Sequence, residues 1–328
     1  MKRHSHLDSA LIRLSARVMQ LSGADASLAV LTFHRVLSDA DPILASEPDA
    51  ASFSAIMDLV AMHFAVLPLT EAVALLKARK LPRRALCITF DDGYASNYTV
   101  ALPILAARRL PATVFVASGF LDGGRMFNDT IIEAVRRSPA TLDLRDTGLG
   151  LHRLDTGAMR AQAVDAIISS LKYLPPSARA LSAAAIASRA GLPERDSLMM
   201  SRGQLRNLHR AGVEIGAHTI THPILTAVSD DDAQHEIVNC KKELEAIVGA
   251  PVTLFAFPNG KSGVDYARRH VDMVRRAGFD AAFSTVWGTA HHGCDFFQMP
   301  RIAPWARSPL RYGLQIAASF RQRDYRQV

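Results

Sequence analysis

Apolar residues along this chain fall into two rhythms that take turns. Leu28-Ala29-Val30-Leu31-Thr32-Phe33 is an unbroken run of strand composition that ends at His34-Arg35-Val36. Residues 37–50 are rich in Pro, Asp and Ser and read as a loop. Phe53, Ile56, Met57, Val60 and Phe64 then recur at helical spacing. A short run, Ala65-Val66-Leu67, precedes Pro68, after which Thr70 reads as the cap of a helix with Glu71 in its first turn. Ala85-Leu86-Cys87-Ile88-Thr89-Phe90 is a second buried-strand run. Residues 101–109 read as a helix with Pro103 near its start, and Ala112-Thr113-Val114-Phe115-Val116 as another strand. Strand and helix in strict turn predict a parallel sheet or barrel.

After Val116 the rhythm stops. Residues 120–200 carry an Ala-, Leu- and Arg-rich helical pattern, broken at Gly148-Leu149-Gly150, Pro175-Pro176 and Gly191-Leu192-Pro193. This predicts a helical insertion between two core strands, and insertions at an active face often shape a substrate site. The rhythm resumes with Ser201 as the cap of a helix over 204–211. A strand over 213–217 ends in His218, a long helix covers 230–248, and a strand over 252–257 is closed by Pro258-Asn259-Gly260. A helix over 264–277, strands over 281–285 and 296–302 and a closing helix over 310–320 complete the chain. About seven βα units favour a barrel over an open sheet.

Ahead of this body, Leu7, Leu11, Leu14, Val18 and Leu21 recur at helical spacing with Arg13 and Arg17 between them. They predict an amphipathic helix within residues 1–26, leaving 27–328 as the barrel. That helix either packs on the body or rests on an anionic membrane surface. No run is long enough to span a bilayer, and no signal-peptide stretch follows Met1-Lys2-Arg3, so the cytoplasm is the default compartment.

Composition narrows the classes. With 49% hydrophobic and 21% charged residues, the 328-residue chain is built to bury a core and is not disordered. Its formal charge of +7 is scattered in short pairs such as Arg83-Arg84 and Arg275-Arg276. No aromatic-interleaved basic stripe accompanies them, so nucleic acid is not an expected partner. The three cysteines, Cys87, Cys240 and Cys294, are odd in number and widely spaced, and imply no disulfide framework.

The candidate chemistry sits at strand ends. The strand over 85–90 delivers Asp91 and Asp92 to its C-terminal end, where active sites of barrels and open sheets lie. Adjacent side chains on an extended chain point in different directions, so one carboxylate can hold a metal while the other meets a water. Alone, Asp-Asp-Gly also marks a turn that uses Asp for its own backbone bonding. His218-Thr219-Ile220-Thr221-His222-Pro223 is the second sharp stretch. Its β-branched residues and Pro223 favour a loop over a helix, and either form brings two imidazoles together. Two His and one carboxylate leave coordination positions open, as at a catalytic Zn²⁺ or another divalent first-row metal. A metal in such a site lowers a water's pKa to about 7.

Thr89-Phe90-Asp91-Asp92-Gly93 followed by His218-Thr219-Ile220-Thr221-His222 resembles the polysaccharide deacetylase family, the NodB-homology domain of carbohydrate esterase family four. The resemblance covers roughly residues 27–305 apart from much of the insertion. It implies a distorted (β/α)₇ barrel that hydrolyses N- or O-acetyl groups on oligo- or polysaccharides with a divalent metal, commonly zinc. It further implies Asp91 as general base and Asp92, His218 and His222 as ligands.

The family's third motif, Arg-Pro-Pro-Tyr-Gly in many members, is replaced by Ala256-Phe257-Pro258-Asn259-Gly260. Asn259 is then the candidate oxyanion N–H, and Arg301 the candidate substitute for the missing Arg that holds the base. The family's late Leu-x-His is absent. Phe33-His34-Arg35-Val36 looks like the extra first strand of the subset acting on poly-N-acetylglucosamine-type polymers, which makes His34 the candidate general acid. Tyr94, Pro258 and Asp129 are candidate substrate contacts, with a helix cap as the structural alternative for Asp129. Two other readings stay open at this point: a non-catalytic carbohydrate-binding or scaffold protein on the same fold, and a deacylase of a small amide.

Overall fold

The computed structural model describes residues 26–194, 196–304, 306, 308–322 and 325–328. The amphipathic helix expected within 1–26 lies outside them, Ala26 excepted. Among the described residues, no helix is long and apolar enough to cross a membrane.

The chain begins with β1 (Leu28–Phe33), α1 (Ala50–His63), β2 (Ala65–Val66), α2 (Leu69–Lys77) and β3 (Ala85–Phe90). A π-helical turn (Asn97–Ala101) runs into α3 (Leu102–Ala106), followed by β4 (Thr113–Val116). The insertion holds α4 (Phe127–Arg137), β5 (Thr141–Leu144), β6 (Gly150–Arg153), α5 (Gly157–Leu171) and α6 (Pro176–Arg189). Then come α7 (Arg202–Arg210), β7 (Glu214–Ala217), α8 (Asp230–Val248), β8 (Leu254–Ala256), α9 (Arg268–Arg276), β9 (Ala281–Trp287), β10 (Met299–Arg301) and α10 (Pro309–Ser319).

Seven parallel strands follow one another in the order β1-β3-β4-β7-β8-β9-β10. The ends of this path meet: Thr32 donates its N–H to Ile302 at 2.9 Å, and Ile302 donates to Val30 at 2.8 Å. The sheet thus closes toward a (β/α)₇-type barrel, as the alternation predicted. Strand β2 stands off the path and pairs only with the first half of β3.

Alternation along each strand divides two apolar layers. Leu28, Val30, Cys87, Phe115, Leu254 and Phe283 share the interior with Leu69, Val73 and Leu76 of α2. Their neighbours Ala29, Leu31, Ile88, Val114 and Phe255 pack outward against the helices. A fully buried large apolar side chain contributes about 1.5–3 kcal/mol. Packing on both faces therefore offsets the several kcal/mol that each charge buried at one end of the barrel costs.

Several local expectations are corrected. Thr70 is not the cap of α2, which starts one residue earlier. The Glu214 carboxylate on β7 accepts the N–H groups of Leu69 at 2.7 Å and Thr70 at 3.2 Å, doing a capping residue's work from another strand. The helix expected from residue 101 begins four residues sooner as the π turn. The helix expected from 264 starts at Arg268, because Asp265 turns back to accept the Lys261 N–H at 2.9 Å.

The insertion is not wholly helical, since β5 and β6 form an antiparallel hairpin turned at Gly148. Thr141-Leu142-Asp143-Leu144 does alternate exposed and buried, but four residues are too few to stand out against the flanking helical pattern. Leu142 and Leu144 join Ile131, Val135, Ile167 and Ile186 in an apolar core that belongs to the insertion.

Candidate active site and metal centre

The strand ends bring the candidate residues to one rim. Phe33 pairs with Phe90 in register, so His34 and Asp91 leave adjacent strands side by side, and Asp91 donates its N–H to the Phe33 carbonyl at 2.9 Å. Asp91 continues the inward side of β3 begun by Cys87. Arg301 on β10 continues the inward side begun by Met299, and lies only 1% exposed. Its guanidinium grips Asp91 bidentately, Nη1 to Oδ1 and Nη2 to Oδ2, both at 2.7 Å. Its Nε donates to the Ser284 carbonyl at 3.0 Å, which holds the fork in place. Burial by itself would raise the Asp91 pKa, but Arg301 outweighs it and holds the carboxyl well below the usual range.

Asp92 has a left-handed backbone, with φ 74°. Gly93 follows at φ 90°, where a Cβ would also press on Val116 Cγ1 at 3.0 Å. The turn leaves Asp92 Oδ1 at 3.5 Å from Nε2 of both His218 and His222. Oδ1 is buried and has no hydrogen-bond partner among the described residues. Nδ1 of His218 lies 2.7 Å from the Ala256 carbonyl, which can only accept. Nδ1 therefore carries the proton, and Nε2 keeps its lone pair toward Asp92.

Two donors about 2.1 Å from a tetrahedral centre stand about 3.4 Å apart. The 3.5 Å separations suit ligands of one divalent cation and are too long for direct hydrogen bonds. Burial pushes His218 down to about 4 and His222 well below its ordinary value, leaving neutral imidazoles, the ligand form. Burial, with Asp91 and Asp129 adding to it, pushes Asp92 up to about 7 against the pull of His34. A cation among these carboxylates would restore Asp92's charge. The residues present fit a divalent metal.

The loop bearing both imidazoles is strained and clamped. Thr219 and His222 have φ 65° and 53°, and a β-branched residue is rarely found there. Glu236 on α8 holds the loop by accepting the N–H groups of Ile220 at 2.7 Å and Thr221 at 2.8 Å, and the Thr221 hydroxyl at 2.6 Å. Gly119 lets the preceding segment approach, since a Cβ there would lie 2.9 Å from the Ile220 carbonyl oxygen.

On the far side, Pro258 is buried and Asn259 is left-handed at φ 58°. The Asn259 carbonyl accepts the Thr285 hydroxyl at 2.6 Å, and no described residue accepts its N–H.

His34 is exposed at the rim, within electrostatic reach of Asp92, Asp91 and Glu47. Desolvation pulls its pKa down, but Asp92 and Asp91 outweigh that and leave it raised. Asn97 in the π turn fixes the strand end by donating to the His34 carbonyl at 2.9 Å. Tyr94 and Asp129 lie behind the rim, only 3% and 1% exposed. The Tyr94 hydroxyl donates to both Asp129 oxygens at 3.2 and 3.1 Å, and Arg35 crosses the Tyr94 ring at 5.1 Å. Asp129 is not a cap, because it sits inside the first turn of α4 and Met126 holds the cap position. Burial, opposed by Arg35 and Tyr94, pushes Asp129 up to about 6.

Arg35, Asn97 and Glu236 escaped sequence reasoning. Arg35 stood within the quoted Phe33-His34-Arg35-Val36 stretch, so a signal existed. Asn97 and Glu236 act through contacts 63 and 16 residues away and left no local sign.

The polysaccharide deacetylase family model matches residues 78–143 and 180–282, more than half of the chain. The chain belongs to this family. As a member it is a hydrolase of the deacetylase type, and the family is metal-dependent. No curated protein matches it. Among solved structures, IcaB from Ammonifex degensii is 18% identical, with TM-score 0.58 over 90% of this chain and 97% of that one. The Streptococcus pyogenes deacetylase PplD in complex with acetate is 16% identical, with TM-score 0.58 over 85% and 93%. The deacetylase domain of BpsB from Bordetella bronchiseptica is 17% identical, with TM-score 0.53 over 84% and 95%. At these identities the likeness is one of fold. The part of the deacetylase that the family model skips, residues 144–179, falls within the insertion.

Proposed function

We propose that the deacetylase removes acetyl groups from N-acetylated sugars of an oligo- or polysaccharide, with Zn²⁺ or a similar divalent ion held by Asp92, His218 and His222. The observation that carries this reading is the convergence of the orphaned Asp92 Oδ1 with two imidazole nitrogens, beside the clamped carboxylate of Asp91. A decayed, non-catalytic member would be expected to lose one of these groups first. When bound, the ion supplies a Lewis acid that makes a water nucleophilic near neutral pH and polarises the acetyl carbonyl.

The chain's own residues divide the remaining work. Asp91, kept ionised by Arg301, takes the proton of the attacking water; each of its oxygens spends one lone pair on Arg301 and keeps another. The Asn259 N–H donates to the acetyl oxygen as negative charge develops on it. His34, at the strand end beside Asp91, protonates the departing amine. Pro258 holds Asn259 in its turn, and Tyr94 with Asp129 forms the platform on which Arg35 rests beside the substrate.

Acetate release from a panel of N-acetylated oligosaccharides, with and without added metal, tests the reading. Elemental analysis should find about one divalent ion per chain, lost in His218→Ala. Undiminished metal in that variant removes the ligand assignment. Acetate released from small amides and from no saccharide would instead make the protein a small-amide deacylase.

A further inference from the structure

Between α4 and α6 of the insertion lies a cavity of about 590 Å³, within the range of small-molecule sites. Thr221 and His222 belong to its lining, so it is continuous with the metal-ligand set. Much of the rest is apolar, including Phe120, Met126, Phe127 and Ala183, while Glu194 is an acidic residue of the lining that makes no ion pair with Arg179. Into this lining the first turn of α6 places Arg179, which is 8% exposed. Its guanidinium rests on the Phe127 ring at 4.6 Å, and Nη1 donates to the Lys172 carbonyl at 3.3 Å.

Among the described residues no carboxylate pairs with Arg179, and burial alone lowers its pKa with no acid opposing it. The other arginine of the cavity is different: Arg125 is paired with Asp196 at 2.5 Å. The position of Arg179 is also unfavourable on its own. A cation in the first turn of a helix faces the positive end of the helix dipole, and Pro175 at the cap offers no side-chain bond. A buried guanidinium in this setting is stabilised by an anion, and its planar fork matches carboxylate and phosphate oxygens. Arg179 also lies in the stretch that the family match skips, which makes it a feature of this chain's insertion.

We infer that this cavity binds an anionic substituent, a carboxylate or phosphate carried by the acetylated saccharide, with Arg179 as its counter-charge. The identity of the carrier as an acetylated saccharide rests on the function proposed above; the anion site rests on the cavity and on Arg179.

Calorimetry on the metal-loaded full chain decides the matter with three ligands: N-acetylglucosamine, its phosphate monoester, and its counterpart with a carboxylate at C6. At least one charged ligand should bind roughly tenfold or more tighter than the neutral one, as expected for a charge-assisted bond. The stronger of the two identifies the substituent. Arg179→Gln should abolish the difference while leaving neutral-ligand affinity in place, and Arg179→Lys should restore part of it. Should Arg179→Gln fail to fold, Ala184→Glu at an exposed position of the same wall supplies a competing negative charge, and should selectively weaken the charged ligand. Equal affinity for charged and neutral ligands in the unaltered protein, or a preference that survives these substitutions unchanged, overturns the inference. Acetate release is followed separately. Deacetylation without charge preference would leave the proposed function standing and this site refuted. Charged-ligand binding through Arg179 without acetate release would do the reverse.

Discussion

At the barrel mouth, Arg301 meets Asp91 across 210 residues of sequence, and each oxygen of the carboxylate accepts one N–H from it. In the insertion, α4, α5 and α6 pack on one another within about sixty residues, around their own apolar core, and leave Arg179 without a counter-charge among the described residues. The first region compensates its buried charge internally, so its geometry is set before any ligand arrives. The second leaves charge and space beside His222. Catalysis requires the former arrangement, because a base that must first be positioned loses part of its advantage. Selection among substrates is served by the latter, because only a ligand of the right charge and shape completes it.

The sharpest way to break this division is Asp91→Asn. The amide is nearly the size of the carboxylate but takes no proton. Turnover should fall by about 10²–10⁴-fold, the usual loss of a general base, while metal content measured by elemental analysis stays unchanged. Normal turnover, or metal lost instead, would mean that the two aspartates' roles are exchanged or wrong.

A somewhat smaller and more selective loss is expected of His34→Ala. An amide nitrogen leaves poorly unless protonated, whereas an activated ester needs no such help. Amide hydrolysis should drop by about 10²-fold or more, and ester hydrolysis much less, with metal retained. Equal losses on both substrates would reduce His34 to a positioning residue.

The smallest effect belongs to the insertion. Ala184→Trp, at an exposed position of the cavity wall, should change stability by no more than about 0.5 kcal/mol in a thermal melt. Turnover of a small acetylated test substrate should remain near normal, while KM rises for a longer saccharide that fills the cavity. A matched fall in kcat for both substrates would place the cavity within the catalytic machinery and erase the contrast with the barrel.

Much of this molecule is legible in its amino-acid sequence because it depends on near neighbours. The run over 85–90 and the long helix Asp230–Val248 follow from periodicity and capping chemistry within each element. The same holds for the pairing of His218 with His222 and the placing of Asp91 beside Asp92, since a few covalent bonds hold these groups together. Arg301 was legible only as a candidate to hold Asp91 in place of the missing third-motif arginine. Its contact with Asp91 exists because β10 returns to β1 and β1 lies against β3, and no local pattern records which strands become neighbours. Tertiary structure alone decided that Glu214 and not Thr70 closes the start of α2, that Asp129 bonds Tyr94 rather than capping α4, and that Arg179 stands buried near His222 with no carboxylate partner among the described residues. Charge compensation and burial are properties of the space around a side chain, and that space is filled by segments distant in sequence.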